Sequence, residues 1–174
     1  MKREGWFLGF FLLMVISFFF DRKILDVVFS LKSRVLDFFM INLSAYLFLI
    51  IFILFCGYLL WNKKKIVYLW AGIGVSYVAS YGLKYLIQRP RPESLEFGFP
   101  SSHATIYFFM FMFMGEEIEK KLFGKVSVKW IFLGLALLVS FSRLYLGRHY
   151  LSDVIGGGLL GAAIYLGYKK WLKN

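Results

Sequence analysis

Residues 142–171 read Ser142-Arg-Leu-Tyr-Leu-Gly-Arg-His149-Tyr-Leu-Ser-Asp153-Val-Ile-Gly156-Gly-Gly-Leu-Leu-Gly161-Ala-Ala-Ile-Tyr-Leu-Gly-Tyr-Lys169-Lys170-Trp171. A cluster of ionisable residues leads without a break into an apolar run, and the run ends on lysines. The apolar part is close to the roughly 20 residues a helix needs to cross bilayer hydrocarbon. Ionisable side chains gathered at the mouth of such a span are costly near lipid, and they mark a working site.

Working outward, runs of the same kind recur over 5–20, 41–61, 66–87, 102–117, 129–147 and 152–171. The 174 residues are 60% hydrophobic and 21% aromatic. The mean hydropathy of +0.68 exceeds what a soluble domain of this length needs. The expected fold is therefore all-α: one domain over 1–174, an integral membrane bundle of six transmembrane helices. Lys2-Arg3 before the first apolar run resembles a signal peptide. No small-residue cleavage site follows Phe20, so this run is expected to remain as an anchor. Between the first two spans, Ile24, Val28, Leu31, Val35 and Phe38 fall on one helical stripe. Asp26, Ser30, Ser33 and Asp37 fall on the other. An amphipathic helix over 21–40, lying in the interface, is expected there. Gly157 and Gly161 are spaced to let another helix backbone come close.

The net charge is +11. Its distribution sets orientation before it suggests a partner. Lys2, Arg3, Lys63 to Lys65, Lys120, Lys121, Lys125, Lys129, Lys169, Lys170 and Lys173 fall on one side of the alternating spans. Apart from the motif residues below, the other side holds Arg22, Lys23, Lys32 and Arg34. The positive-inside rule then places both termini in the cytoplasm and the motifs outside. Nucleic acid is excluded as a partner, because the cations are scattered among spans and form no soluble basic face. The single cysteine, Cys56, cannot form a disulfide within the chain.

Three segments carry the chemistry. In Lys84-Tyr-Leu-Ile-Gln-Arg-Pro-Arg91-Pro92, Pro90 ends the helix. Lys84 offers a point charge and Arg91 a planar fork for two oxygens of an anion. Arg89-Pro90 repeats Arg91-Pro92 two residues earlier, and its role is open. Pro100-Ser101-Ser102-His103 is a helix start, whose unsatisfied N–H groups make an anion site beside His103. In the third segment His149 and Asp153 are one helical turn apart. A carboxylate there would hold one imidazole nitrogen and leave the other to act as base or nucleophile. Arg143 brings a second guanidinium. Two histidines in separate segments with one nearby acid do not make a metal site, and no cofactor or metal is expected.

In this order, Lys-x6-Arg-Pro, Pro-Ser-x-His and Ser-Arg-x5-His-x3-Asp resemble the three motifs of the type 2 phosphatidic acid phosphatase (PAP2) family. At 174 residues the chain resembles compact bacterial members such as lipid A 1-phosphatases. The motifs cover 84–153, and the six-span layout extends the likeness to most of the chain. The resemblance implies a metal-independent lipid phosphatase of the bacterial inner membrane with a periplasmic active site. It implies that Lys84, Arg91, Arg143, Ser101 and the backbone of Ser102 and His103 bind the phosphate. It further implies that His149 attacks phosphorus, Asp153 orients His149, and His103 protonates the leaving oxygen. Ser102 stands where the family often has Gly, which would strain the chain if φ were positive there. Implied substrates are lipid A 1-phosphate, undecaprenyl diphosphate or phosphatidylglycerophosphate. The competing readings are a phosphatase of soluble esters and a non-catalytic anion-binding or transport protein. Oligomeric state is not readable.

Overall fold

The computed structural model describes residues 4–60, 62–119 and 129–171. Among these the regular elements are all helices: α1 (Glu4–Ser30), α2 (Arg34–Ser44), α3 (Tyr46–Leu60), α4 (Lys63–Ile87), α5 (Ser102–Glu119), α6 (Lys129–Tyr145) and α7 (Leu151–Trp171). Lys2, Arg3, Lys120, Lys121, Lys125 and Lys173, on which part of the orientation argument rests, lie outside the described residues.

Helix α5 is the axis of the bundle, and α4, α6 and α7 pack on it. Its Phe109, Met110 and Met114 are fully buried beside Cys56 of α3 and Leu69 of α4. Glycines allow two of the crossings. A Cβ on Gly72 of α4 would overlap the Phe109 ring. A Cβ on Gly161 of α7 would strike the Thr105 carbonyl of α5, and one on Gly157 would come to 2.5 Å from the Ser101 oxygen. The Gly157–Gly161 pair therefore faces α5 inside the bundle. Outward, large apolar side chains such as Phe19, Val78 and Leu86 are exposed, the surface expected of a protein solvated by lipid.

Helices α4 and α7, the latter over Leu151–Lys170, are long and apolar enough to cross a bilayer, with mean hydropathies of 1.4 and 1.3. Together α2 and α3 would make a third span, bent by 53°. Helix α4 stops where Gln88 turns left-handed (φ 52°) and returns its N–H to the Lys84 carbonyl, two residues before Pro90.

Three expected boundaries are corrected. The first run does not end near residue 20, because α1 continues to Ser30. Asp21 does not break it, since the carboxylate is buried against Arg89 and Ser152. The stretch 21–40 is consequently not one interfacial helix. It is the end of α1, a turn at Leu31–Ser33, and the first half of α2, which Ser33 caps by accepting from Leu36 N–H. The run 41–61 is not continuous either: Ala45 is extended (ψ 144°) and separates α2 from α3.

Candidate active site

Lys84, in the last turn of α4, donates to the carbonyls of Gly98 (2.8 Å) and Pro100 (2.6 Å). These bonds tie down the loop 88–101. The loop closes on itself through Arg91 N–H to Glu96 O (2.9 Å) and Gly98 N–H to Arg89 O (2.7 Å). Arg91 is thereby held over the end of the bundle, paired with the exposed Glu96 at 2.7 Å. The loop ends on Ser101, which caps α5: its oxygen accepts from Ala104 N–H at 3.5 Å, and its own N–H donates to the Asp153 carbonyl at 3.0 Å. Arg143 is in the last turn of α6. His149 lies in the α6–α7 connection, which turns at Gly147 (φ +66°).

A cavity of about 370 Å³ opens between these elements. Its walls include Lys84, Arg91, Ser102, His103, Arg143 and His149, with Tyr46, Tyr77, Tyr81, Tyr85 and Glu96 at the rim. Six of the eight site residues expected from sequence thus meet in one space. Ser101 and Asp153 stand behind that wall. Ser101 is fully buried and used as a cap, and Asp153 is fully buried beneath His149. Ser102 has no positive φ, and its hydroxyl accepts a hydrogen bond from Ser80 at 2.9 Å.

The cavity is electrostatically lopsided. Arg91 Nε, His103 Nε2 and Arg143 Nε are buried without a hydrogen-bond partner in the protein. Buried polar atoms are normally paired, and the two guanidinium N–H groups among these can only donate, so on the walls of a single cavity they define a place for an acceptor-rich anion. A second cavity of about 320 Å³ adjoins the first and shares Tyr46, Tyr77, Ser102 and His103 with it. Its remaining walls are Leu49, Ile53, Trp70, Ile73, Gly74 and Ile106, and are apolar throughout. An anion attached to a hydrocarbon would fit the pair of cavities.

His149 Nδ1 faces Asp153 Oδ2 at 3.5 Å. That is beyond a good hydrogen bond, and Nδ1 counts as unpaired. The same Oδ2 accepts from Tyr150 N–H at 3.0 Å. Burial, then the positive charges of Arg143, Lys84 and Arg91, hold the His149 imidazole well below its ordinary pKa of 6.5. The ring is therefore neutral at pH 7, and its other hydrogen-bond contact is the Gly98 backbone.

The model of the PAP2 superfamily matches residues 93–174, which contain the second and third of these segments. This part of the chain belongs to the PAP2 superfamily. It is 30% identical over 138 residues to phosphatidylglycerophosphatase B of Bacillus subtilis, covering 70% of this chain and 66% of the relative. It is 36% identical over 76 residues to lipid A 4'-phosphatase of Bacteroides thetaiotaomicron, covering 44% of this chain and 29% of that protein. These alignments thus span less than two thirds of the relatives' own length. The crystal structure of a transmembrane PAP2-type phosphatidylglycerolphosphate phosphatase from Bacillus subtilis has the same fold. Its TM-score is 0.74 at 24% identity, with 96% of each chain covered.

Around the PAP2 site are residues that sequence reasoning passed over. Ser44, at the end of α2, accepts from Arg143 Nη1, and its backbone meets His103. Tyr46 packs its ring 5.1 Å from that of His103. Asp21 of α1 and the unassigned Arg89 are joined to Asp153 in one buried network. Asp21 carried a usable signal, a lone acid near the end of an apolar run. Ser44 and Tyr46 carried none.

Proposed function

We propose that this PAP2 protein is a lipid phosphate phosphatase that works without a metal, through a phosphohistidine on His149. The carrying observation is the set of buried polar atoms without a partner, the Arg91 and Arg143 Nε donors and His103 Nε2, placed where an apolar cavity joins the polar one. Lys84, Arg91 and Arg143 bind the phosphate oxygens and neutralise the charge that develops on them. Ser101 supports this indirectly by capping α5, which leaves the Ser102 and His103 end of the helix toward the anion. The neutral His149 attacks phosphorus from one side, forming a P–N bond as the P–O bond to the lipid breaks. His103 gives its proton to the leaving oxygen. Water then cleaves the P–N bond and releases inorganic phosphate. Asp153 holds the imidazolium orientation during the first step. Among the described residues no three His, Cys, Asp or Glu side chains converge to hold a metal.

The apolar cavity favours a lipid over a soluble ester, because a water-soluble substrate has no use for those walls. Lipid A 1-phosphate is the leading candidate, with undecaprenyl diphosphate and phosphatidylglycerophosphate as the alternatives. The named relatives act on a glycerol-based lipid and on a sugar-based one. In the bilayer we place six crossings with α2 at the interface, both termini in the cytoplasm, and the site at the outer face of a bacterial inner membrane. Lys65 and Lys169, paired with Glu117 and Glu116 at the far end of the bundle from Lys84, support that orientation.

The test is phosphate release by the purified protein in detergent with EDTA, on a panel of these three lipids and a short soluble ester. Release is expected from a lipid, unchanged by EDTA and absent in His149→Ala. Loss of activity in EDTA would refute the metal-free reaction, and preference for the short ester would refute the lipid reading.

A further inference from the structure

Asp21 is out of place by composition. It sits in the apolar helix α1, is 4% exposed, and lines neither cavity. Its Oδ2 accepts from Arg89 Nη2 at 2.7 Å, and its Oδ1 accepts from Ser152 N–H at 3.0 Å at the start of α7. The other nitrogen of the same guanidinium, Nη1, donates to Asp153 Oδ1 at 2.7 Å and to Ser152 Oγ at 2.5 Å. The Phe18 ring at 4.0 Å and the Tyr150 ring at 4.6 Å hold the guanidinium in place. Arg89 therefore uses both ends of its planar fork on carboxylates from two helices, a geometry an ammonium cannot copy.

Both oxygens of Asp153 are then committed. Oδ1 is fixed by Arg89, and Oδ2 is left to Tyr150 N–H and the His149 ring. We infer that Arg89, clamped by Asp21, is a positioning residue that sets the angle of the Asp153 carboxylate toward His149. This rests on the proposed role of His149 as nucleophile. Neither Arg89 nor Asp21 borders the cavity, so neither touches substrate. Around Asp153 the charged and titratable groups are Arg89 from the loop, Asp21 from α1, Lys84 from α4 and His149 beside it. Among the described residues Arg89 is the permanent cation paired with the Asp153 carboxylate, and removing it leaves two buried carboxylates without the cation between them.

The test compares His149→Ala, Arg89→Gln, Arg89→Lys and the double variant Arg89→Gln/Asp21→Asn. Each is purified in detergent and measured for kcat, KM and melting temperature on the best lipid. In Arg89→Gln, kcat is expected to fall by on the order of 100-fold with KM changed by less than about twofold, because misplacement acts on the reacting geometry and not on phosphate binding. Arg89→Lys is expected to recover part of kcat. The double variant, with the charge balance eased, is expected to regain melting temperature without regaining kcat. If kcat returns together with melting temperature, Arg89 only balances charge and the inference fails. Wild-type kcat in Arg89→Gln beside a dead His149→Ala also overturns it. Activity surviving in His149→Ala would instead overturn the underlying reaction. Should Arg89→Gln fail to fold, Arg89→Lys and the double variant carry the same comparison.

Discussion

Replacing Gly157 with Ala adds one methyl group at the closest approach of α7 to α5. The new Cβ would lie 2.5 Å from the Ser101 carbonyl oxygen and 3.0 Å from the Ala104 Cβ, where ordinary contact begins at 3.4 Å. Relief requires α7 to back away by about 0.9 Å, since the first obstacle is backbone and cannot rotate aside. The cost expected of such overpacking is about 1–3 kcal/mol. The same movement stretches the Ser101 N–H to Asp153 carbonyl bond, now 3.0 Å, which fixes the helix carrying Asp153 against the helix carrying His103. A displacement near 1 Å at reacting groups can lower turnover by about 100-fold. Gly167→Ala is the internal control: it is in the same helix, and its Cβ would meet nothing within 4 Å. Thermal unfolding in detergent, followed by intrinsic fluorescence, and phosphate release should both separate the two variants. Gly167→Ala is expected to match the parent within about 1 kcal/mol. If Gly157→Ala melts and turns over like Gly167→Ala, the tight crossing does not position the site.

Three more expectations follow from the same geometry. Burial and the surrounding cations lower the His149 pKa, so the unfolded chain protonates this residue near its ordinary value of 6.5 while the folded chain does not. That part of the stability is present above pH 6.5 and is lost as pH falls. Melting curves between about pH 7.5 and about pH 5 should decline more steeply for the parent than for His149→Gln, and equal slopes would contradict the buried neutral ring. Arg143→Lys keeps the charge but loses the fork that serves both Ser44 and the cavity. A fall in kcat/KM by about 100-fold is expected in steady-state assays, and an unchanged value would remove Arg143 from anion binding. Gly74 lines the apolar cavity, and a Cβ there would meet nothing, so Gly74→Leu should fill it. Activity on a long-chain lipid phosphate should drop by about tenfold while a short ester is spared, and equal loss on both would mean that the cavity holds no tail.

How much of this was legible in the sequence depends on the range of the interaction. The end of α4 could be read because Pro90 and the residues before it act locally, and the structure stops the helix at Ile87. The convergence of Lys84, Arg91, His103, Arg143 and His149 was legible because each sits at the same end of its span. The helix-start pattern at Ser101 was also local, but the side chain is turned to capping and away from the cavity wall. The misread parts all depend on partners distant in the chain. Helix α1 runs through Asp21 because Arg89, 68 residues later, neutralises the carboxylate. The break at Ala45 has neither Gly nor Pro to announce it. It occurs where Ser44 meets Arg143, 99 residues away, and where its backbone meets His103. Periodicity sees only neighbours, so it extended a helix across that break and ended another too early.

The placement of Asp21 also bears on how the chain is assembled. Synthesis proceeds from the N-terminus, so α1 reaches the membrane before α4 and α7, with an acid that lipid does not solvate. Arg89 follows once α4 is made, well before Asp153 in α7. Of the three charged members of the buried network, the two that can neutralise each other are the first two to emerge. The last helix then docks on a cation that is already held in place, and the Gly157 and Gly161 face closes against α5 with Arg89 waiting for its second carboxylate.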